Sequence, residues 1–262
     1  MRIVRYADPL IRYGLLEDDG AIRPLAGSPF ETPPFGTPTT RGKATHVERV
    51  VLLAPVEPRN VYGVGLNYVR HAKEMNLPLP AVPMLFMKHT GSISGPGAAI
   101  PYPRAGGNIH FEGEIVAVIG RSARRVPESS ALEYVLGYTC GNDVSERVIQ
   151  GKEMKQGCLL LGKAFDGFAP LGPAIAATGL DAADIPIIAR VNGKERQRSS
   201  TSDLVFSIAA LIAYMSDALT LLPGDVIMTG TPSGVGPIKP GDTVEIESPA
   251  IGVLRNPVVQ EE

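Results

Sequence analysis

Two glutamates and a histidine occupy alternate positions of one short segment, in the order His110, Glu112 and Glu114. The residues that follow, 115–119, are apolar and mostly β-branched, which is typical of a buried strand. Because successive side chains of a strand point to opposite faces, the three polar residues are predicted to share one face, with the two glutamates about 7 Å apart at the backbone. At that spacing two carboxylates can bind one cation, and burying them without a compensating charge is costly. The pattern therefore favours a metal site.

A hard divalent cation such as Mg²⁺ needs a third anionic ligand, for which Asp143 is the best candidate. It follows Gly141-Asn142, directly after the strand-like residues 134–140. An aspartate in this position is also typical of a turn or a helix cap. The glutamate pair likewise fits the exposed start of a strand, and His110 fits a ligand, a neighbour of the ligands or a structural histidine.

His71 and Glu74 are three positions apart in a stretch that is predicted to be helical, so they share one face of the helix. A carboxylate beside an imidazole fixes the tautomer of the ring and raises its basicity, as a general base for water requires. An ordinary polar pair on a solvated helix face is the alternative, and the spacing by itself favours it.

Lys163 stands among apolar and glycine residues in the segment 161–166. Such a lysine is either a buried cation paired with Asp166 or a group that stabilises a developing oxyanion, and the residues do not choose between the two. The glycine-rich run 230–236 does not match the GxxxxGK[ST] phosphate-binding loop. It is predicted to be a turn-rich connector, whose Thr231 hydroxyl and backbone amides could meet a small anion.

Composition limits the class of protein. The chain has 262 residues, 44% of them hydrophobic, enough for one large domain with or without a small appendage. A net charge of -2 and the lack of a Lys/Arg cluster argue against a nucleic-acid partner. Cys140 and Cys158 are not in CxxC spacing and are predicted to be small core-filling thiols in a reducing cytosol. Charges near the start of the chain, and an apolar run of only residues 205–215, predict a cytoplasmic protein without a membrane partner.

The chain divides into a small N-terminal domain with a linker, residues 1–50, and a main domain, residues 51–262. The linker is the Pro/Thr/Gly-rich stretch 29–42. The 29 glycines and 24 prolines favour a strand-rich fold with many short connections. One clear helix is predicted, capped by Thr201 or Ser202, with an apolar stripe from Leu204 to Met215, and a shorter one over residues 68–75. The predicted strands are 2–6, 13–17, 60–64, 84–87, 114–119, 134–140, 187–191, 225–229 and 243–246.

Over residues 50–255 the order of short motifs resembles the fumarylacetoacetate hydrolase family. Each motif is modest, but together and in order they are specific. The matching segments are Gly65-Leu66-Asn67-Tyr68 with His71, Phe86-Met87-Lys88, Ser94-Gly95-Pro96-Gly97, Phe111-Glu112-Gly113-Glu114, Gly141-Asn142-Asp143-Val144-Ser145 with Arg147, Gly162-Lys163-Ala164-Phe165-Asp166, Pro170-Leu171-Gly172-Pro173, and Pro223-Gly224-Asp225-Val226-Ile227 leading into Thr229-Gly230-Thr231-Pro232.

The resemblance implies an α+β, strand-rich fold, a mixed β-sandwich roll with a small N-terminal domain before the catalytic domain. It also implies a homodimer and a Mg²⁺ or Mn²⁺ ion at a cleft. By position, the resemblance makes Glu112, Glu114 and Asp143 the metal ligands, His71 and Glu74 a water-activating dyad on a lid helix, Lys163 a catalytic cation, and Tyr68, Arg147, Gln150 and Thr231 the substrate contacts.

Two positions depart from the family pattern. Family members often read Asn-Asp-Val-Ser-Ala-Arg-Asp, whereas this chain has Glu146 before Arg147 and Val148 after it. The acidic neighbour therefore changes sides, which predicts a different orientation of Arg147. His110 stands where an aspartate is common, which predicts a different environment around the metal.

The resemblance implies cleavage of a C–C bond in a 2-oxo or 2,4-dioxo acid, with the metal as Lewis acid and template. In an acylpyruvate or fumarylpyruvate hydrolase, a water activated by His71 attacks the distal carbonyl and Lys163 stabilises the oxyanion. In this reaction the group that departs is an enolate. Decarboxylation of the oxaloacetate type and isomerisation of a 2-hydroxyhepta-2,4-diene-1,7-dioate in aromatic catabolism pass through the same kind of enolate. The dyad favours the hydrolase, and a binding protein for dicarboxylates without catalysis is a further alternative.

Overall fold

The computed structural model describes residues 1–31, 39–104 and 107–262. Part of the predicted linker, residues 32–38, lies outside the described residues. The described strands are β1 (Arg2–Asp8), β2 (Leu10–Leu16), β3 (Ala21–Pro24), β4 (Thr45–His46), β5 (Val51–Leu53), β6 (Val61–Gly65), β7 (Met84–Lys88), β8 (Ile93–Ser94), β9 (Ile100–Tyr102), β10 (Ile109–Phe111), β11 (Gly113–Ile119), β12 (Val135–Asn142), β13 (Ser145–Glu146), β14 (Ala169–Ala176), β15 (Pro186–Val191), β16 (Lys194–Ser200), β17 (Val226–Met228), β18 (Gly236–Pro237), β19 (Thr243–Ser248) and β20 (Gly252–Gln260).

The described α-helices are short and lie between strands. Short 3-10 turns cover Val47–Arg49, Thr90–Ser92, Glu128–Tyr134 and Thr201–Asp203. The α-helices are α1 (Val69–Glu74), α2 (Arg147–Lys155), α3 (Leu161–Ala164) and α4 (Ile208–Ala218). The predicted strand-rich α+β fold is thus confirmed. No helix in the described part of the chain is both long enough and apolar enough to cross a bilayer.

One large mixed sheet organises the molecule. Its strands run in the order β4-β3-β2-β1-β14-β12-β11-β17-β6-β7. In addition, β5 pairs with β1, and β8 pairs with β14. The N-terminal strands join this sheet through the antiparallel pair of β1 and β14. A second sheet has the order β16-β15-β19-β20-β9, and a small one the order β13-β10-β18.

Strand β11 is the centre of the core, because all seven of its residues are buried. Ile115, Ala117 and Ile119 belong to the cluster that packs against the second sheet and α4. Val116 and Val118 belong to a separate cluster on the other face, with Ile3 among its members. Alternation therefore buries both faces of β11, which explains why its apolar residues are uninterrupted.

The predicted start of the long helix is wrong. The helix begins at Ile208, and its cap is Ser207, whose hydroxyl accepts a hydrogen bond from the Ala210 amide. Thr201–Asp203 instead forms a 3-10 turn. The residues between are held out of the helix by a long-range contact, since the Phe206 amide donates to the side chain of Asn67. The shorter predicted helix is confirmed as α1, with its ends one residue inside the predicted ones.

Candidate metal centre and active site

Three buried carboxylates meet where β11 and β12 lie side by side. Glu114 belongs to β11, Glu112 immediately precedes that strand, and Asp143 immediately follows β12. The antiparallel register pairs Gly113 with Asn142, which brings the ends of both strands together. One oxygen from each of the three carboxylates lies within 4.8 Å of the others.

Backbone contacts fix the two loop carboxylates beside each other. The Asn142 side chain accepts a hydrogen bond from the Glu112 amide at 2.9 Å. The Asp143 amide donates to the Glu112 carbonyl at 2.8 Å. The residue between the two glutamates is Gly113. A Cβ there would lie 2.9 Å from Ile246 Cδ1 on the second sheet, so a larger residue would not fit without a shift. Close packing on the opposite face of β11 therefore favours glycine at this position.

Three cations neutralise Glu112 and Asp143. The Lys163 ammonium donates to Glu112 at 2.8 Å and to Asp143 at 2.5 Å. Arg147 donates to the second oxygen of Glu112, and Lys88 to the second oxygen of Asp143, each at 2.5 Å. Lys163 is therefore a buried cation, but its partners are these two carboxylates, and the alternative of a pair with Asp166 is wrong.

The pKa directions follow from these contacts. Burial alone would raise the pKa of the Glu112 carboxyl, but Lys163 and Arg147 outweigh burial and hold it well below its usual range. Burial likewise opposes the charge of Lys163, yet Asp143 and Glu112 raise its pKa. Burial lowers the pKa of Lys88, and the nearby charge of Lys163 lowers it further, so the carboxylate of Asp143 does not fully compensate.

Glu114 differs from its two neighbours. Its carboxylate accepts one hydrogen bond, from the Gly230 amide at 2.8 Å, and among the described residues no side-chain cation makes an ion pair with it. Burial raises its pKa well above the usual range, and the charges of Asp143 and Glu112 raise it further. A carboxylate in this position lacks a cation, and the all-oxygen set of three carboxylates suits Mg²⁺ or Mn²⁺. The residues present therefore fit a divalent ion.

A second buried polar group lacks a partner. The Tyr68 hydroxyl is buried, and it has no hydrogen-bond partner within the described structure. Burial raises the pKa of this phenol, and the charge of Glu114 raises it further, so the hydroxyl lies in the electrostatic field of the carboxylate cluster. An unsatisfied buried hydroxyl beside the cluster fits a ligand oxygen.

The predicted dyad forms on α1. His71 Nδ1 lies 3.1 Å from the Glu74 carboxylate, and the ring is close enough to Glu112 to influence its pKa. With Nδ1 facing Glu74, Nε2 is the ring nitrogen that this contact leaves available. The Glu74 carboxylate also accepts a hydrogen bond from the Gly234 amide at 3.1 Å, so it fastens α1 to the loop that precedes β18.

Asn67 anchors the chain just before α1. Its side chain donates to the Thr229 and Phe206 carbonyls and accepts from the Phe206 amide. The preceding residue, Leu66, has φ +52, a left-handed conformation that is costly for a branched side chain. The turn into α1 is therefore held by buried hydrogen bonds, and these fix the direction in which the His71 helix leaves β6.

Helix α2 presents its first turns to the carboxylates. Arg147 reaches Glu112 and also donates to Gln150 at 2.8 Å. Glu146 is the cap of this helix, since its carboxylate accepts from the Ile149, Gly107 and Asn108 amides. The structure thus gives the acidic neighbour of Arg147 a capping role, and Arg147 itself faces the site.

Thr231 and His110 are engaged elsewhere. The Thr231 hydroxyl donates to the Gly113 carbonyl and accepts from the buried Gln197 amide, so it locks the glycine-rich loop onto β11. His110 lies outside the carboxylate cluster, and its Nε2 lies 3.1 Å from the Asn108 side chain. Desolvation, with Arg147 nearby, lowers the pKa of His110 to about 4, so this ring is neutral at pH 7.

Sequence reasoning missed several polar residues that shape the site. Three of them stand within matched motifs, but a single polar residue within such a segment does not reveal its partner; the fourth, Gln197, lies outside every matched segment and gave no signal. These residues are Asn67, Lys88, Asn142 and Gln197.

Comparison with known proteins agrees with the fold. The model of the family "Fumarylacetoacetate (FAA) hydrolase C-terminal" matches residues 60–259. A second model, "Rv2993c-like, N-terminal", matches residues 1–55. The chain therefore belongs to the fumarylacetoacetate hydrolase family.

Individual relatives of the chain are named for different reactions. A 5-carboxymethyl-2-hydroxymuconate delta-isomerase from Mycobacterium smegmatis is 42% identical, with a TM-score of 0.90 over 100% of both chains. A fumarylpyruvate hydrolase from Pseudomonas aeruginosa, solved with Mn²⁺ and pyruvate, is 36% identical, with a TM-score of 0.75 over 79% of this chain and 91% of that chain. The mitochondrial oxaloacetate tautomerase fahd2 of Xenopus laevis is 42% identical over 80% of this chain and 69% of that protein.

Proposed function

We propose that this protein is an enzyme that binds Mg²⁺ or Mn²⁺ through Glu112, Glu114 and Asp143 and acts on a 2-oxo acid. The observation that carries the proposal is Glu114, a buried carboxylate held by one backbone amide and without an ion pair among the described residues. When bound there, the ion supplies Lewis-acid charge to the carboxylate and 2-oxo oxygens of the substrate.

The balance of charge supports an anionic substrate. Three carboxylates are matched by the three cations Lys88, Arg147 and Lys163. A divalent ion therefore leaves the site with a net charge of about +2 in a region of low dielectric. The enolate of a 2-oxo acid carries a carboxylate and an enolate oxygen, so its charge offsets this excess.

His71 is the base in this proposal. Its Nε2 accepts a proton, and Glu74 holds the ring in the tautomer that makes Nε2 basic. Lys163 has three N–H donors, of which two meet Glu112 and Asp143, so one remains for a substrate oxygen. Tyr68, Arg147, Gln150 and Thr231 are proposed substrate contacts, with Thr231 acting through the loop that it holds in place.

The proposed reaction is hydrolysis of an acylpyruvate or fumarylpyruvate. Water gives its proton to His71 and attacks the distal carbonyl, while Lys163 offers a hydrogen bond to the oxyanion that develops there. Collapse of this oxyanion breaks the bond between the distal carbonyl carbon and C3, and the departing enolate takes the proton from His71, which gives pyruvate and a second carboxylic acid. The fumarylpyruvate hydrolase relative, solved with Mn²⁺ and pyruvate, supports this choice.

Isomerisation or tautomerisation of a 2-oxo dicarboxylic acid is the second candidate. A relative that aligns with the whole chain is named a delta-isomerase, and another is named an oxaloacetate tautomerase. His71 serves this reaction equally well, by moving a proton between carbon and Nε2 without any attacking water. Decarboxylation of oxaloacetate uses the same enolate and is the remaining variant.

Chelator-treated protein should be incubated with acylpyruvates, fumarylpyruvate and oxaloacetate, with and without Mg²⁺ or Mn²⁺. Metal-dependent release of two carboxylic acids without CO₂ supports the hydrolase. A metal-dependent change of enol absorbance with no cleavage supports the tautomerase, and CO₂ from oxaloacetate supports the decarboxylase. If none of these substrates reacts, the proposed substrate class is wrong.

A variant pair ties the activity to the dyad. His71→Gln should reduce kcat by about 100-fold or more, since general base catalysis contributes 10²- to 10⁴-fold. His46→Gln, at a half-buried histidine of β4 in the N-terminal part of the chain, is the matched control and should retain wild-type kcat.

A further inference from the structure

Glu153, near the end of α2, clamps the segment that carries Lys163. Its carboxylate accepts hydrogen bonds from three consecutive amides, those of Leu160, Leu161 and Gly162, at 3.1, 2.7 and 3.0 Å. These amides begin α3, and without the carboxylate they would have no partner within that short helix. A negative charge at the start of a helix also interacts favourably with the helix dipole.

Apolar burial contributes little at the start of α3. The Leu160 and Leu161 residues are 50% and 61% exposed, so they contribute little apolar burial in one chain. Gly162 is the point of close contact, since a Cβ there would lie 2.6 Å from the Gln150 amide nitrogen. Helix α3 therefore lies directly on α2, and the Glu153 carboxylate is the polar group that holds it there.

The same face of α2 reaches the carboxylates at its other end. Arg147, Gln150 and Glu153 are spaced three residues apart, which keeps them on neighbouring positions of the helix surface. Arg147 contacts Glu112, whereas Glu153 holds the turn that places Lys163 against Glu112 and Asp143. Helix α2 thus connects both cations that contact Glu112.

We propose that Glu153 is a positioning residue for Lys163, acting through the backbone of α3. The catalytic part of this inference rests on the proposed function, whereas the positioning part concerns the geometry alone. The backbone donors also lower the pKa of Glu153 against the opposing effect of desolvation, which keeps the carboxylate charged.

The first test reads the position of Lys163 without any substrate. Glu153→Ala is compared with Lys155→Ala, a substitution at an exposed residue of the same helix. Amide exchange at residues 160–162 and acetylation of Lys163 under native conditions are followed by mass spectrometry. Because three hydrogen bonds to a charged group are lost, we expect both rates to increase by about tenfold or more in Glu153→Ala and not in Lys155→Ala. Unchanged rates in Glu153→Ala would overturn the proposal.

The second test uses turnover under saturating metal. We expect Glu153→Ala to lower kcat by about tenfold while KM changes less than about twofold, since Lys163 is assigned to the oxyanion of the transition state. Glu153→Gln keeps the size but replaces one acceptor by a donor, so its kcat should lie between those of wild type and Glu153→Ala. Wild-type kcat in Glu153→Ala would contradict the catalytic part.

The two tests separate the possible failures. If the wild-type protein converts no 2-oxo acid, the proposed function fails, but exchange and acetylation still decide whether Glu153 positions Lys163. If turnover is normal in wild type and Lys163 is equally protected in both variants, the inference fails while the proposed function stands.

Discussion

At the scale of single residues, the three carboxylates of the candidate metal site lie in different environments. Glu112 and Asp143 each have cations on both oxygens, whereas Glu114 has one backbone donor. Closely spaced like charges cannot all be ionised in a buried site without compensation. A divalent ion bound there would supply that compensation and would lower the pKa of Glu114.

The two cysteines differ in a way that gives a second test at this scale. Cys140 is buried and Cys158 is exposed, so the prediction of two core thiols is right for the first and wrong for the second. Burial raises the pKa of Cys140 to about 12, which keeps it a thiol at pH 8. We expect Ellman's reagent at pH 8 to modify one thiol quickly in the native protein and two after unfolding in urea.

Cys158→Ser is the control for that count and should leave no rapidly reacting thiol in the native state. The raised pKa of Cys140 also predicts how the stability of the fold changes with pH. Because the unfolded thiol ionises at a lower pH than Cys140 does in the fold, stability should decrease as the pH rises above the pKa of the unfolded thiol. Two fast thiols in the native protein would contradict the burial of Cys140.

At the scale of elements, β11 packs closely against the second sheet at the residue between the two glutamates. A methyl group at Gly113 would meet Ile246 Cδ1 at 2.9 Å and Ala189 Cβ at 3.1 Å. We expect Gly113→Ala to lower the free energy of unfolding by about 1–3 kcal/mol through overpacking. Urea unfolding followed by circular dichroism measures the change.

Gly151→Ala provides the matched comparison, since Gly151 lies within α2 and a Cβ there meets nothing within 4 Å. This substitution should raise the free energy of unfolding by about 0.5–1 kcal/mol, because alanine restricts the unfolded chain and favours the helix. Equal effects of the two substitutions would show that the tight contact at Gly113 does not constrain β11.

The limits of sequence reasoning also lie at the level of elements. The order of motifs identified the family, and the alternation around Glu112 and Glu114 indicated a carboxylate site, because both are local patterns. The start of α4 depends on Asn67, which is 139 residues from Phe206. Lys88 pairs with Asp143, which lies 55 residues further along the chain. Tertiary contacts of this kind override local propensity, and the neighbouring residues in the sequence do not predict them.

At the scale of the whole molecule, we propose that residues 1–50 form a small N-terminal domain with a linker, residues 51–262 form the catalytic domain, and two chains form a homodimer. Strand β7 stands at the end of the large sheet and exposes Met84, Leu85 and Met87. An apolar edge strand is a ready pairing surface. We expect light scattering after size-exclusion chromatography to give twice the mass of one chain.

Leu85→Glu should give the mass of one chain, because a charge on the edge strand opposes pairing. Val253→Glu, at an exposed apolar residue of β20, is the control and should remain a dimer. A wild-type protein with the mass of a single chain, or a dimer unaffected by Leu85→Glu, would contradict the use of β7 as the contact.

The most direct measurement is a titration of chelator-treated protein with Mn²⁺, followed by the electron paramagnetic resonance of the free ion. The wild type should bind one Mn²⁺ per chain, and Mg²⁺ should displace it. Glu114→Gln should weaken binding by at least about 100-fold, since losing a ligand costs more than the 10- to 100-fold cost of losing a group behind it. Glu133→Gln, at an exposed glutamate, should bind as wild type does. Absence of binding by the wild type, or equal binding by Glu114→Gln, would contradict a metal site at Glu112, Glu114 and Asp143.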